Sequence, residues 1–169
     1  MDLTPLIRDV PDFPKPGILF KDITPLLRDP RALTHVIETL AAPHRHQGIT
    51  QVVGIESRGF ILAPAVALAL GAGFIPVRKP GKLPWRALRQ PYGLEYGQDI
   101  LEIHDDALTS ADRVLIVDDV LATGGTAHAA VSLVTRLGAT VHAAAFLIDL
   151  TFLGGAAKVG VPVTSVLRY

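Results

Sequence analysis

Residues 114–126 read Val-Leu-Ile-Val-Asp-Asp-Val-Leu-Ala-Thr-Gly-Gly-Thr, and they predict both a sheet and a ligand site. The apolar run Val114 to Val117 is typical of a parallel strand covered on both faces. Two carboxylates follow, Asp118 and Asp119, and then a glycine-rich turn where the next helix begins. A helix start can hold a phosphate, and adjacent acids suit vicinal sugar hydroxyls, directly or through Mg²⁺. The segment therefore predicts a ribose 5-phosphate site; an ordinary strand-to-helix turn with Asp as cap is the alternative.

Two other phosphate-binding motifs do not match this turn. Gly124 and Gly125 are not followed by the Lys that a GxxxxGK[ST] loop requires, and the chain has no GxGxxG fingerprint. A nucleoside triphosphate site and a dinucleotide site are therefore disfavoured.

Length and charge restrict the class of protein. The 169 residues suit one domain with a substantial core, and 16 Lys plus Arg balance 16 Asp plus Glu. Because the net charge is zero, we expect no nucleic acid as partner. The absence of Cys excludes disulfides and thiolate metal sites. Charges at Asp2, Arg8, Asp9 and Asp12 interrupt any signal peptide, which predicts a cytoplasmic protein.

The uncharged stretch 60–77 approaches the length of a membrane span. Pro64 and Gly71 interrupt it, however, and it is rich in Ala rather than Leu. We therefore interpret it as a short buried helix followed by a buried strand, and we expect no membrane association.

Periodicity and turn residues predict alternating helices and strands. Residues 3–24 are rich in Pro, so we expect an irregular segment with brief structure there. The predicted helices span about 29–40, 59–70 and 125–137, and the predicted strands span 51–55, 74–78, 114–118, 141–148 and 163–167. This alternation indicates an α/β fold with a mostly parallel sheet flanked by helices. Because ligands bind at the carboxyl ends of such strands, the neighbourhoods of Glu56, Arg78 and Asp118 are expected to converge.

Residues 79–98 differ in character from the segments around them. Prolines at 80, 84 and 91 and glycines at 81, 93 and 97 predict a loop with no regular element through its middle. Loops of this length are uncommon in compact domains and are usually functional or disordered. Its Lys, Arg, Tyr and Trp side chains predict a mobile lid over an anionic ligand.

A second candidate site is the sequence GIESRG at 54–59, between a predicted strand and a predicted helix. The guanidinium of Arg58 suits a diphosphate because its planar fork donates two parallel hydrogen bonds. A salt bridge at the helix start is the alternative. Three further cations, Arg78, Lys79 and Lys82, flank the predicted lid and are assigned to the diphosphate, with a solvated charged face as the alternative.

The sequence DDVLATGGT at 118–126 resembles the phosphoribosyl diphosphate (PRPP) motif of the type I phosphoribosyltransferases. The resemblance implies that Asp118 and Asp119 meet the ribose 2′- and 3′-hydroxyls. The loop that wraps the 5′-phosphate would then comprise Ala122, Thr123, Gly124, Gly125 and Thr126. The pyrophosphate-binding loop of that family matches Glu56, Ser57 and Arg58. It often contains a non-proline cis peptide, for which the Glu56–Ser57 bond is the candidate.

Further segments extend the resemblance to the adenine-specific members of this family, in order over about residues 10–169. They are VPDFPKPGILFKDI at 10–23, GIESRGF at 54–60, RKPGKLP at 78–84 and LEYG at 94–97. The implied reaction converts adenine and PRPP into AMP and diphosphate. The base is expected to meet backbone groups near Leu19 and Lys21, the ring of Phe20 and an apolar wall at Leu150. Core packing is the alternative role for Phe20, and Lys21 replaces an Arg found in many relatives.

The resemblance also implies the remaining parts of the machinery. Glu95 matches the catalytic Glu that handles the purine proton, with an exposed loop acid as the alternative, and Tyr96 follows it on the lid. Mg²⁺ is expected as cofactor, held chiefly by PRPP oxygens and water, with no certain protein ligand. The implied protein is a homodimer of single domains, 1–169, in which residues 1–28 form a hood over the base and 79–98 form the lid.

Two other functions remain open from the sequence. One is a regulator that binds PRPP or a purine without catalysis; such relatives usually carry a DNA-binding module, for which this chain has neither the length nor the basic excess. The other is an enzyme for a different nucleobase, such as hypoxanthine. The hypoxanthine and guanine enzymes have a base-contacting acid in the phosphate loop, where this chain has Ala122 and Gly125.

Overall fold

The computed structural model describes residues 1–94 and 97–169. Over these residues the strands are β1 (Arg8–Pro11), β2 (Leu19–Asp22), β3 (Gln51–Ile55), β4 (Gly73–Val77), β5 (Ala87–Leu94), β6 (Gly97–His104), β7 (Arg113–Leu121), β8 (Thr140–Asp149) and β9 (Val163–Arg168). The helices are α1 (Thr24–Arg28), α2 (Pro30–Ala41), α3 (Gly59–Leu70), α4 (Gly125–Arg136) and α5 (Ala156–Val159). Short 3-10 turns lie at Thr4–Leu6, Ala42–His44 and Thr151–Leu153.

A parallel sheet with the strand order β4-β3-β7-β8-β9 forms the centre of the molecule. In its central strand, β7, the run from Val114 to Val117 is completely buried. Leu115 and Val117 contribute to a core shared with α2 and α3, whereas Val114 and Ile116 contribute to a core shared with β6 and α4. Helices and a hairpin therefore cover both faces, which confirms the predicted α/β fold.

The predicted elements of this sheet and its helices are confirmed with ends within one residue, except at the end of β7. The predicted strand ended at Asp118, but β7 continues to Leu121 because Val120 and Leu121 still pair with Ile148 and Asp149 of β8. Asp118 and Asp119 therefore lie within β7, whereas Gly124 and Gly125 follow the end of the strand.

Helices α2 and α3 follow the local signals in the sequence. The Asp29 carboxylate accepts hydrogen bonds from the N–H groups of Arg31 at 2.8 Å and Ala32 at 3.1 Å, which caps α2 where the sequence predicted its start. The uncharged stretch 60–77 forms α3 and β4, as predicted. Across residues 1–94 and 97–169, no helix is long and apolar enough to cross a membrane.

The N-terminal segment contains a hairpin where the sequence predicted mainly irregular structure. β1 and β2 pair antiparallel, from Arg8 opposite Asp22 to Pro11 opposite Leu19. The connecting turn contains Asp12 at φ 56° and Gly17 at φ 87°, and the Asp12 carboxylate accepts from the Gly17 N–H at 2.8 Å. The hairpin was missed because its prolines mark turns in sequence, although Pro also occurs at strand ends and edges, as Pro11 does.

The prediction that no regular element runs through the middle of residues 79–98 is wrong, because β5 occupies Ala87–Leu94. β5 and β6 pair antiparallel, from Ala87 opposite His104 to Leu94 opposite Gly97. Pro91 fits within β5 because each strand of a two-stranded sheet has one edge without ladder hydrogen bonds. Leu101 and Ile103 of β6 are fully buried and attach the hairpin to the core. Glu95 and Tyr96 lie outside the described residues.

Candidate active site

A cavity of about 320 Å³ opens at the carboxyl ends of β3 and β7. These strands are neighbours, with Gly54 opposite Val117, so the segments that follow them adjoin. The cavity is lined by Glu56, Ser57, Arg58, Lys79, Tyr92, residues 118–127 and Phe146. The predicted convergence of the neighbourhoods of Glu56, Arg78 and Asp118 is therefore confirmed, although it is Lys79 and not Arg78 that lines the cavity; Arg78 is bonded to Glu56.

The turn between β7 and α4 is shaped by close backbone packing. Gly124 has φ 84°, and a Cβ at this position would lie 2.4 Å from the carbonyl oxygen of Gly155. A Cβ at Gly155 would in turn lie 2.1 Å from the carbonyl oxygen of Ala122. Helix α4 begins at Gly125 without a side-chain cap, and Gly125, Thr126 and Ala127 line the cavity, so the first N–H groups of the helix are available to an anion there.

The two acids at the end of β7 differ in environment. Asp119 is buried and accepts a hydrogen bond from the Arg58 guanidinium at its Oδ2. Burial, together with the neighbouring Asp119 carboxylate, raises the pKa of Asp118 well above its ordinary value. Gly59 starts α3 directly against this acid, because a Cβ there would lie 2.8 Å from Asp118 Oδ1. The loop after β3 and the acid pair are thus packed into one unit.

The loop after β3 contains the predicted cis peptide between Glu56 and Ser57. The Glu56 carboxylate accepts hydrogen bonds from Arg78 Nε at 3.1 Å and from the Lys79 N–H at 2.9 Å. Burial opposes ionisation of Glu56, but these hydrogen bonds outweigh it and lower the pKa of its carboxyl. Arg78 also donates to the carbonyl oxygen of Lys82 at 3.3 Å. Glu56 therefore anchors the chain that leaves β4.

Lys79 lies in a polar cluster on the other wall of the cavity. Its Nζ donates to the Asp99 carboxylate and, at 3.0 Å, to the hydroxyl of Tyr92. The Tyr92 hydroxyl donates to Asp99 Oδ2 at 2.8 Å. Neither the contact of Tyr92 with Lys79 nor any role for Asp99 was predicted from the sequence. The proximity of Tyr92 and Asp99 depends on the pairing of β5 with β6, in which they are direct cross-strand partners, and a segment interpreted as a loop offers no such signal.

The predicted base-binding residues are less closely gathered than the phosphate-side residues. The Phe20 ring lies 4.8 Å from the Arg58 guanidinium carbon, and Phe13 packs edge-on against it at 5.0 Å between centroids. Leu150 follows β8 and packs against the core shared with α2 and α3, while Leu19 is half exposed. The side chain of Lys21 is directed to Tyr169. The cavity lining includes none of the four predicted base-binding residues, Leu19, Phe20, Lys21 and Leu150.

Comparison with known proteins gives one consistent result. A family model described as the phosphoribosyl transferase domain matches residues 22–157. The chain is 57% identical over 159 residues to the adenine phosphoribosyltransferase of Myxococcus xanthus, covering 94% of this chain and 86% of that protein. Its structure is similar to that of adenine phosphoribosyltransferase from Rhodothermus marinus, with a TM-score of 0.95 and 56% identity over 99% of this chain and 96% of that one.

A third similar structure is adenine phosphoribosyltransferase from Saccharomyces cerevisiae, complexed with D-2,5-dideoxy-2,5-imino-altritol 1,6-bisphosphate and adenine. The TM-score is 0.92, with 42% identity over 98% of this chain and 96% of that one. The fold, the acid pair and the glycine turn, together with these matches, define a member of the phosphoribosyltransferase family. Within that family, the chain belongs to the adenine phosphoribosyltransferases.

Proposed function

We propose that this cavity is where the protein transfers the 5-phosphoribosyl group of PRPP to adenine, giving AMP and diphosphate. The observation that carries the proposal is the meeting of the Asp118–Asp119 pair with the uncapped turn 122–126 in one cavity. The acids suit the ribose hydroxyls and the turn suits the 5′-phosphate, through backbone N–H groups and the hydroxyls of Thr123 and Thr126. Ala122, Gly124 and Gly125 keep that turn short and open.

The ribose acids also act on the transition state. Breaking the C1′–O bond develops positive charge on the sugar, and nearby carboxylate charge stabilises it. Asp119 is paired with Arg58 before substrate arrives. When PRPP binds, its diphosphate can take the place of Asp119 beside Arg58, and a ribose hydroxyl can take the place of Arg58 beside Asp119. Binding therefore replaces one ion pair by two hydrogen-bonded contacts with the substrate.

The leaving diphosphate would be held by cations and hydroxyls around the loop after β3. Arg58 and Ser57 line the cavity with Lys79, while Glu56 fixes the backbone that carries Arg78 and Lys82. Among the described residues, no group of three His, Asp or Glu side chains is placed to hold a metal. The carboxylates that line the cavity are those of Glu56, Asp118 and Asp119, and a Mg²⁺ bound here would take its other ligands from PRPP oxygens and water. When bound, Mg²⁺ supplies charge neutralisation to the diphosphate.

The hood, residues 1–28, would hold the base. Phe20 would stack on the purine, Leu150 would form the opposite wall, and backbone groups near Leu19 and Lys21 would pair with the adenine edge. Adenine presents an N6 donor and an N1 acceptor, whereas 6-oxopurines present the reverse. A backbone C=O and N–H pair therefore rejects the wrong base by leaving buried groups unpaired.

Proton handling is assigned to Glu95, with Tyr96 beside it on the lid, residues 79–98. Attack of adenine N9 on C1′ requires that the purine lose a proton, and a carboxylate next to the ring accepts it. Glu95→Gln should lower kcat by about 100-fold, near the lower end for general acid–base groups, because free adenine also exchanges protons with water. The variant should bind PRPP as the wild type does and should show an altered pH–rate profile. Wild-type kcat at every pH would remove Glu95 from the chemistry.

We further propose that the protein is a homodimer that associates through the outer face of α3. Ile61, Pro64, Ala65 and Leu68 recur at helical spacing on that face, and none is charged. Leu68 is 82% exposed and Ile61 is 48% exposed in the single chain. A helix that is apolar on its outward side needs a partner to cover it, and a second copy offers an identical stripe.

One assay tests the proposed reaction. Adenine, hypoxanthine, guanine and orotate are each supplied with PRPP and Mg²⁺, and the nucleotide formed is measured. We expect AMP from adenine and at least 100-fold less product from the other bases, because mismatched hydrogen-bond partners are costly in a buried site. A parallel reaction with Asp119→Asn, which retains size but loses charge, should show a large fall in turnover. Equal use of hypoxanthine would contradict the base assignment, and full activity of Asp119→Asn would contradict the ribose site.

A further inference from the structure

Lys21 makes its side-chain contacts away from the catalytic cavity. Its Nζ lies 4.0 Å from the centroid of the Tyr169 ring and 2.6 Å from Asp9 Oδ1. The side chain is only 10% exposed, so the ammonium group sits between a carboxylate and an aromatic face with little water. The attraction between a cation and the face of an aromatic ring becomes stronger when water is excluded in this way.

The same strand carries the proposed base contact on its opposite face. Side chains alternate along a strand, so Phe20 and Lys21 of β2 point to different sides. Phe20 points to Arg58 at the cavity, and Lys21 points to Tyr169. Because the two residues are adjacent in β2, the contacts of the Lys21 side chain hold the stretch of backbone that carries Phe20.

Tyr169 is itself fixed to the segment that contains Leu150. Its backbone N–H donates to the Asp149 carbonyl oxygen at 3.0 Å. Its carbonyl oxygen accepts from the Thr151 N–H at 2.9 Å and from the Thr151 hydroxyl at 2.7 Å. These bonds bracket Leu150, whose own N–H donates to Leu121 of β7 at 2.9 Å.

We propose that Lys21 and Tyr169 are positioning residues that join the hood to the end of β8 and so set the width of the adenine slot between Phe20 and Leu150. The inference rests on the proposed function, in which the side chains of Phe20 and Leu150 form the walls around the base. It assigns a role to the Lys21 side chain that is separate from its backbone contact with adenine. Neither Lys21 nor Tyr169 touches the reacting atoms through its side chain.

The test compares removal of the ring with its retention. Tyr169→Leu should raise KM for adenine by about three- to tenfold, the range for loss of a partly desolvated cation–π contact. KM for PRPP and kcat should stay within about twofold of wild type. Tyr169→Phe retains the ring face and should behave as wild type. Lys21→Met tests the contact from the other side and should also raise KM for adenine, by more than Lys21→Arg does, because Arg retains a cation over the Tyr169 ring.

Hydrogen exchange of the backbone amides in residues 8–22 provides a readout that does not depend on adenine. Exchange should be faster in Tyr169→Leu and Lys21→Met than in Tyr169→Phe. Unchanged exchange, or a Tyr169→Phe variant as impaired as Tyr169→Leu, would overturn the positioning role. A Phe20→Ala variant with unchanged KM for adenine would instead overturn the base site itself, so the two failures are distinguishable.

Discussion

At the scale of single residues, the two glycines of the phosphate turn have different constraints. Gly124 combines φ 84° with a space that the Gly155 carbonyl oxygen already fills, so any side chain there displaces backbone. A Gly124→Val variant would therefore report on folding rather than on phosphate binding. At Gly125 a Cβ would lie 3.5 Å from Tyr92 Cδ2, which is ordinary contact. A hydroxyl in the turn is a better probe than either glycine.

Thr126→Val removes one hydroxyl from the first turn of α4 and retains the side-chain shape. We expect the affinity for AMP to fall by about tenfold, because a hydrogen bond to a charged group is lost. Titration calorimetry with AMP measures this change. The matched control is Thr135→Val on the same helix, since Thr135 is exposed and its hydroxyl donates to the Val131 carbonyl oxygen at 2.9 Å. Unchanged AMP affinity in Thr126→Val would place the phosphate elsewhere.

The raised pKa of Asp118 predicts a cost of the active site to stability. In the unfolded chain this carboxyl ionises near 3.8, whereas in the folded protein it retains its proton to higher pH. The protonated Asp118 carboxyl therefore contributes fully to the stability of the fold below pH 3.8. That contribution is lost as the pH rises through the pKa that Asp118 has in the folded protein. Asp118→Asn cannot ionise, so it should melt a few degrees higher than wild type at neutral pH and show a smaller difference in acid.

Thermal melts of Asp118→Asn and wild type over a pH series measure this difference. The exposed Asp106 provides the control, because Asp106→Asn leaves the cavity untouched and should change the melting temperature little at any pH. A melting temperature of Asp118→Asn below that of wild type at neutral pH would show that the ionised carboxylate stabilises the fold.

At the scale of secondary-structure elements, the β5–β6 hairpin brings Lys79, Tyr92 and Asp99 together. The Asp99 carboxylate neutralises an ammonium group that the proposed mechanism gives to the diphosphate. Asp99→Asn should therefore lower KM for PRPP, by no more than about fivefold because the pair is partly exposed and such pairs are weak. Steady-state kinetics at low ionic strength measure the change, with Asp106→Asn as control. A higher KM for PRPP would show that Asp99 orients Lys79 instead of competing for it.

The sequence predicted those elements whose signals are local. Apolar runs and turn residues located β3, α2, α3, β7 and α4 to within a residue or a few, and their alternation predicted a parallel sheet flanked by helices, although not its strand order. Both hairpins were missed because the identity of a cross-strand partner, such as Asp99 opposite Tyr92, depends on pairing between distant residues. For the same reason, a salt bridge at Arg58 was foreseen as the alternative to a diphosphate contact, but Asp119 was not indicated as its partner.

At the scale of the whole molecule, the outer face of α3 predicts self-association. Leu68→Lys places a charge on the most exposed side chain of the proposed interface and should shift the protein toward monomer, with Kd for dimerisation rising at least tenfold. Light scattering after size-exclusion chromatography measures the mass. Phe152→Lys is the control, because Phe152 is 75% exposed on a different segment and should leave the mass unchanged. An unaltered mass for Leu68→Lys would exclude this face as the interface.

The contact of Gly155 with the turn 122–124 has a consequence for which nucleotides fit. Gly155 lies five residues after Leu150, and there is no room for a side chain between its backbone and that of Ala122 and Gly124. In the proposed site the purine lies at Leu150 and the phosphate at the turn 122–126, so this close packing limits how far apart the two can move. A nucleotide with one extra methylene between ribose and phosphate is longer than AMP by about 1.5 Å, one carbon–carbon bond, and we expect it to bind more weakly than AMP.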